Sequence, residues 1–297
     1  MHKNIFKLLP LLFFCLLSHS LFAQSDTLKV LSYNIWNGFD WGNDLERKQK
    51  MTAWLKEVNP DVIGFQELND FTAEDLKIWA NEFGHGYSVL LKEHGYPIGI
   101  TSKEPIHLKT KMQGGLWHGM LHAETFGIDF IAVHLSPHDW EFRRREAEMI
   151  CEYAEKAILN TPNKQLMILG DFNSHSPFDW KFDNENPFSL KRNQLSDSLR
   201  RVQNGPNAYQ TLRDGTIDYS VISRFLSLPL IDTIQKKIAA GEKKTFPTPM
   251  VGQDISKSDF EKYRNRIDYI LVSSNLETAL LEAKILSQGT PDILSDR

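Results

Sequence analysis

Cysteine is nearly absent from this chain: two occur in 297 residues. Cys15 lies in an apolar N-terminal stretch, which leaves Cys151 alone in the body of the sequence. No intramolecular disulfide is available there, so stability must come from a buried core and from any bound metal. Cys151 follows Met149-Ile150 in a helical pattern and reads as a buried structural thiol. Basic charge is not in excess either. Lys and Arg number 34 against 38 Asp and Glu, a formal net charge of −4. Gripping nucleic acid through its phosphates needs a basic face; local basic patches occur, as at Arg143-Arg144-Arg145, but no global field helps. No repeat, low-complexity tract or linker interrupts the chain. No apolar run is long enough for a comfortable membrane span. The longest, residues 8–17, follows Lys3 and Lys7 and gives way to Leu21-Phe22-Ala23 and the polar Gln24-Ser25-Asp26. That is the layout of a secretory signal peptide over residues 1–23, cleaved after Ala23. Cys15 sits behind Phe13-Phe14, not after small residues, which argues against a lipid-modified cysteine. Losing Lys3 and Lys7 with no acid would move the net charge from −4 to −6.

What is present alternates between strand and helix patterns. Residues 28–33 read as a buried strand. Residues 44–58 place Leu45, Met51, Trp54, Leu55 and Val58 at helical spacing, with Asn59-Pro60 as the stop. Residues 61–65 form a short apolar strand ending on Gln66 and Glu67, and Thr72 opens a second amphipathic helix that closes at Gly84. Strands follow at 87–91, 98–101, 116–123 and 128–134. The longest helical pattern covers 139–159, and 166–169 is a buried strand feeding Gly170-Asp171. Residues 174–194 read as irregular and aromatic. A short helix near 195–202, a strand at 267–272 and another near 279–286 complete the pattern. Strands outnumber helices and helices return between them, which predicts one α+β domain built on stacked sheets.

Five short polar motifs each stand at the end of a strand-like apolar run. They are Ser32-Tyr33-Asn34-Ile35-Trp36, Gln66-Glu67, His134-Leu135-Ser136, Gly170-Asp171-Phe172-Asn173 and Arg266-Ile267-Asp268-Tyr269. A sixth, Ser295-Asp296, precedes Arg297. Together they supply oxygen ligands for a hard cation, a histidine and an Asp/Asn pair, which is what metal-assisted phosphoester hydrolysis needs. Taken singly, each has a plainer reading. Glu67 alone is a solvated loop carboxylate and Asn34 a turn former. Asp171 and Asn173, separated by one residue, either cap a tight turn or orient a water and a phosphoryl oxygen. His134 is either a structural hydrogen-bonder or a donor to a phosphate oxygen or leaving group. His134 and His138 have the spacing of a zinc pair, but Pro137 opposes the helix that zinc ligation would use. His118 and His122 read as packing residues. Asp268, inside an apolar strand, needs a partner: Arg266 or another cation if structural, a histidine if functional. Phe178, Trp180, Phe182 and Phe188 suit a substrate-capping loop or a lip touching lipid, and equally suit anchors pinning that loop to the body.

In this order the motifs resemble the endonuclease/exonuclease/phosphatase superfamily, over residues 28–296. Residues 96–103 resemble that family's glycine-containing strand before a Pro-Ile, and Thr245-Phe246-Pro247-Thr248 its Thr-x-Pro-Thr segment. The resemblance implies a four-layered α/β sandwich, two packed mixed β-sheets flanked by helices, with the site at one edge. It implies a metal-dependent phosphoric ester hydrolase with Mg2+, or alternatively Mn2+, at Asn34, Glu67 and Asp296. His134 would contact the scissile phosphate, while Asp171 and Asn173 would position the attacking water and stabilise the transition state. Asp268 would hold the histidine of the family's Ser-Asp-His ending. Arg297 stands where that histidine is expected, and the family's closing strand does not follow. Arginine joins Asn173 and His134 as a phosphate binder but, with a pKa above about 12, accepts no proton at neutral pH. Two expectations result: an exported phosphoesterase acting on diesters or monoesters, or a phosphate-ligand-binding protein on the same scaffold without turnover. The acidic balance favours a small-molecule or lipid-headgroup phosphoester over nucleic acid. A monomer, secreted or periplasmic, is expected.

Overall fold

The computed structural model describes residues 27–235, 237–238, 242–248 and 256–286. Residues 1–23 and Ser295-Asp296-Arg297 lie outside them. One sheet has four strands, β1 (Val30–Asn34), β2 (Val62–Gln66), β3 (Tyr87–Leu90) and β4 (Gly99–Ser102), in the order β1-β2-β4-β3. The other has six, β5 (His107–Met112), β6 (Met120–Thr125), β7 (Ile128–His134), β8 (Leu166–Asp171), β9 (Leu230–Asp232) and β10 (Asp268–Ser273), in the order β5-β6-β7-β8-β10-β9. Both are mixed: β1/β2 and β7/β8 pair in parallel, and the remaining pairs are antiparallel.

The period-two alternation of side chains decides the layering. On β7, Phe130 and Ala132 join Val62, Ile100, Leu121 and Leu169 in an apolar layer between the sheets. Ile131 and Val133 point the other way, onto Ala147, Ile150 and Cys151 of α4 (Trp140–Ala154) and Ile222 and Phe225 of α7 (Ser220–Leu226). On β2, Ile63 and Phe65 face Leu55 of α2 (Leu45–Val58) and Trp79 of α3 (Ala73–Glu82). Four layers result, as the resemblance implies. Burying each large side chain contributes about 1.5–3 kcal/mol. The helix starts are encoded locally: Asp44 accepts from Arg47 N, Asp139 from Glu141 N, and Thr72 and Asp75 form a reciprocal capping box.

Between β1 and α2 the backbone does something the periodicity gives no sign of. Residues Trp36–Trp41 (α1) form a turn of left-handed helix, with φ between 50° and 59° from Trp36 to Trp41. Such a conformation costs about 1–2 kcal/mol per non-glycine residue. It is held by Arg47, which donates to the Trp36 carbonyl at 3.1 Å and lies 4.9 Å over the Phe39 ring.

Several element boundaries differ from the sequence expectation. Residues 174–194 are not irregular. Ser176 accepts from Phe178 N with Pro177 at the first helical position, and a short 3-10 turn runs into α5 (Trp180–Glu185). The short helix expected near 195–202 is the second half of α6 (Phe188–Asn204). The strand expected from 116 begins at Met120, because residues 114–119 form a turn at Gly114-Gly115 and Gly119. The strand expected near 279–286 is absent: a 3-10 helix, Ser274–Ala279, leads into irregular chain where Leu281 is exposed. Finally, β5 is an exposed edge strand carrying Lys109 and Lys111, and α8 (Lys257–Tyr263) precedes β10.

Candidate active site

Strand register brings the polar motifs to one edge. Asn34 ends β1 opposite Gln66, and Glu67 follows directly; His134 ends β7 opposite Asp171, which ends β8. Asp268 opens β10 opposite the same Asp171. Val30, Ala132, Leu169 and Ile270 lie in the layer between the sheets. By alternation Asn34, His134, Asp171 and Asp268 continue that face to its open end. Four residues scattered over more than two hundred positions therefore share one cleft. Glu67 reaches it because its backbone turns left-handed, at φ 59°.

Hydrogen bonds fix the members to one another. Asn34 Nδ2 donates to Glu67 Oε1 at 3.0 Å and to Asp171 Oδ2 at 3.2 Å. The left-handed turn contributes Asn37 N to Glu67 Oε2 at 2.7 Å and Gly38 N to the Glu67 carbonyl at 2.8 Å. Asn173, itself at φ 47°, donates its backbone N–H to Asp171 Oδ1 and its side-chain amide to the Leu135 carbonyl. His134 Nε2 lies 3.8 Å from Asp171 Oδ2. Arg266 is not the partner of Asp268: it is taken by Asp179 and Asp232, both at 2.7 Å. Asp268 meets Thr245 instead, whose Oγ1 accepts from Ile267 N and Asp268 N.

Electrostatics follow from that crowding. Burial, and then the charges of Asp268 and Glu67, push the Asp171 carboxyl well above its ordinary range. Burial, with Glu67 adding to it, pushes Asp268 up to about 6. Burial holds the His134 imidazole well below its usual value, so it is neutral at physiological pH. Among the described residues no Lys or Arg forms an ion pair with Glu67, Asp171 or Asp268. Glu67 and Asp171, both bonded to the Asn34 amide and without a counter-cation, are oxygen donors of the kind a hard divalent ion takes. Among the described residues no group of three His, Cys, Asp or Glu side chains is placed to hold a metal ion by itself. Magnesium, which keeps waters and takes only one or two carboxylates, fits such an open set. Asp296 lies outside the described residues.

A model of the Endonuclease/Exonuclease/phosphatase family matches residues 31–296. The chain belongs to that family. Its members are hydrolases of phosphoester bonds and are typically dependent on a divalent metal. Among solved structures, an AP endonuclease from Archaeoglobus fulgidus shares the fold at TM-score 0.61 and 16% identity, covering 85% of this chain and 89% of that one. A single-residue variant of the 3' phosphatase NExo from Neisseria, bound to product DNA hairpin, does so at TM-score 0.53 and 17% identity, with 85% and 89% covered. Comparison with curated protein sequences gives no match.

Some residues of this family member's cleft escape sequence reasoning. His118 does not simply pack in a strand: its ring stacks on His134 at 4.1 Å between centroids and 21° between planes. His122, four residues on, is the structural histidine, bonded to Tyr153 and Asp129. The buried Glu146 on α4 ties the two loops together, accepting from Trp117 N at 2.7 Å and Ser136 N at 2.8 Å. Gly170, at φ 146°, lets β7 and β8 approach, since a Cβ there would lie 1.9 Å from the Val133 carbonyl oxygen. The Gly-Asp-Phe-Asn pattern signals that glycine; nothing in the local sequence signals His118 or Glu146.

Proposed function

We propose that this protein is an exported, magnesium-dependent phosphoesterase that hydrolyses its substrate by in-line attack of water. The observation that carries the reading is the meeting of Glu67, Asp171 and Asp268 with neutral His134 at one edge, with no ion-paired Lys or Arg among the described residues to neutralise the acids. When bound, magnesium would offset phosphoryl charge and ease departure of the leaving oxygen, held by Glu67 with Asn34 and Asp296. Asp171, with its raised pKa and its carboxylate fixed by Asn34 and Asn173, is suited to orient a water and take its proton. His134 is suited to donate an N–H to a phosphoryl oxygen, and Asn173 to add a second donor. Export rests on the sequence of residues 1–23 alone.

Small phosphoesters are the favoured substrates, because the net charge of −4 supplies no global attraction for a polyanion. The structural neighbours named for an AP endonuclease and a DNA-bound 3' phosphatase keep DNA as the alternative. A substrate panel decides between them: p-nitrophenyl phosphate, bis(p-nitrophenyl) phosphate, a lipid phosphodiester and a duplex with an abasic site, each with magnesium and with chelator. Turnover of the small esters in preference to the duplex supports the reading; efficient nicking of the duplex alone reverses the substrate assignment. A second reading, phosphate binding without turnover, is favoured by Arg297 at the expected histidine. It predicts saturable phosphate binding and no hydrolysis of any member of the panel.

A further inference from the structure

Beside His134, on two separate loops, stand two groups that the acidic cluster does not use. Lys92 opens the β3–β4 connection, is half-buried, and makes no hydrogen bond or ion pair with any described residue. Its charge acts on the imidazoles of both His118 and His134. His118 is 6% exposed and its ring nitrogens make no hydrogen bond with the described residues, while Nδ1 of His134 is fully buried and has no partner among them. A fully buried polar atom such as this Nδ1 is ordinarily paired. An ammonium and two adjacent imidazoles without acceptors are complementary to an oxyanion.

The placement is built in. Gly119, at φ 105°, allows the turn before β6 to pass so close to the Lys92 loop that a Cβ would meet Leu91 Cδ2 at 2.5 Å and the Met112 carbonyl at 2.9 Å. Glu146 holds the same turn from the other side through Trp117 N. Tyr96, across the loop from Lys92, covers His118 with ring centroids 5.3 Å apart. Burial lowers both Lys92 and His118, the latter to about 3, so His118 offers one neutral N–H and the ammonium is the sole full charge.

We propose that Lys92 and His118 form an anion subsite next to His134 that receives a phosphoryl oxyanion of the substrate, on the side of the cleft opposite the acids. This rests on the phosphoesterase reading for its role in turnover, but the binding itself does not. A phosphomonoester dianion gains more from one ammonium than a diester monoanion does, so the subsite tilts the enzyme towards monoesters.

The test is titration of the chelator-treated protein with inorganic phosphate, followed by the ring Cε1–Hε1 NMR signals of His118 and His134, assigned with His118→Asn. Wild type should show a saturable shift of both signals. Lys92→Met and Lys92→Gln should weaken phosphate binding by about tenfold or more, and Lys92→Arg should restore it to within about threefold. Lys92 lies on a half-exposed loop, and unchanged melting curves confirm that its variants fold. Equal phosphate affinity in Lys92→Met and wild type, or no binding by wild type, overturns the subsite. Hydrolysis is scored separately: kcat/KM for p-nitrophenyl phosphate should fall more than that for bis(p-nitrophenyl) phosphate in Lys92→Met. Phosphate binding that depends on Lys92 in a protein that hydrolyses neither ester would retain the subsite while the phosphoesterase reading fails.

Discussion

Asp171 and Asp268 face each other across the β8–β10 pairing with Glu67 nearby; burial raises both, Asp268 and Glu67 raise Asp171 further, and Glu67 raises Asp268 further. The folded protein therefore holds a proton on Asp268 up to pH about 6, whereas a free carboxyl releases it near 3.8. A raised acid pKa costs stability as pH rises through that interval; the cost is absent below the lower value and full above the higher. In metal-free protein Asp268→Asn should raise unfolding free energy at pH 7.5 by about 1–3 kcal/mol and change it little at pH 4. Urea melts at the two pH values measure it, and an equal loss of stability at both would mean that the carboxylate is well satisfied. Asp171→Asn tests catalysis rather than strain. It should lower kcat about 100-fold or more while KM stays close to wild type, because it removes a proton acceptor and not a binding group.

At the scale of elements, the site depends on how closely two pairs of segments approach. Gly170→Ala places a methyl group against the Val133 carbonyl and should destabilise the protein by about 3–5 kcal/mol, seen as a lower denaturation midpoint. Glu146→Gln keeps one acceptor but turns an amide N–H towards a backbone N–H. It should cost about 1–3 kcal/mol and broaden the His118 ring signals, whereas an unchanged spectrum would deny Glu146 its role in positioning that loop. These elements also show what the sequence could and could not reveal. Helix starts at Asp44, Thr72 and Asp139 were legible because the caps are local. The strand-end positions of Asn34, Glu67, His134 and Asp171 were legible because apolar runs stop there. The left-handed turn at Trp36–Trp41, the stack of His118 on His134 and the Thr245 contact to Asp268 were not. Each arises from tertiary packing between segments distant in sequence. Leu281 misled for the related reason that alternation alone does not say whether a second sheet face is available to bury it.

Across the whole molecule, two sheets with their helices form a scaffold that needs no disulfide, and the carboxylates at its edge are a local excess of negative charge that a divalent ion would relieve. Magnesium in saturating excess should therefore raise Tm at pH 7.5 by several degrees, corresponding to about 2–3 kcal/mol at about 100 times Kd. At pH 5 the gain should shrink, because protons on Asp171 and Asp268 compete with the metal. A Tm indifferent to magnesium at both pH values would remove the metal from the account. Metal-dependent hydrolysis at this edge is read directly from release of p-nitrophenol from the mono- and bis-esters by wild type and Glu67→Ala, in magnesium and in chelator. Wild type should release p-nitrophenol in magnesium only, and Glu67→Ala at least about 100-fold less. Release that survives chelation, or that Glu67→Ala leaves intact, would contradict metal-dependent hydrolysis at this edge.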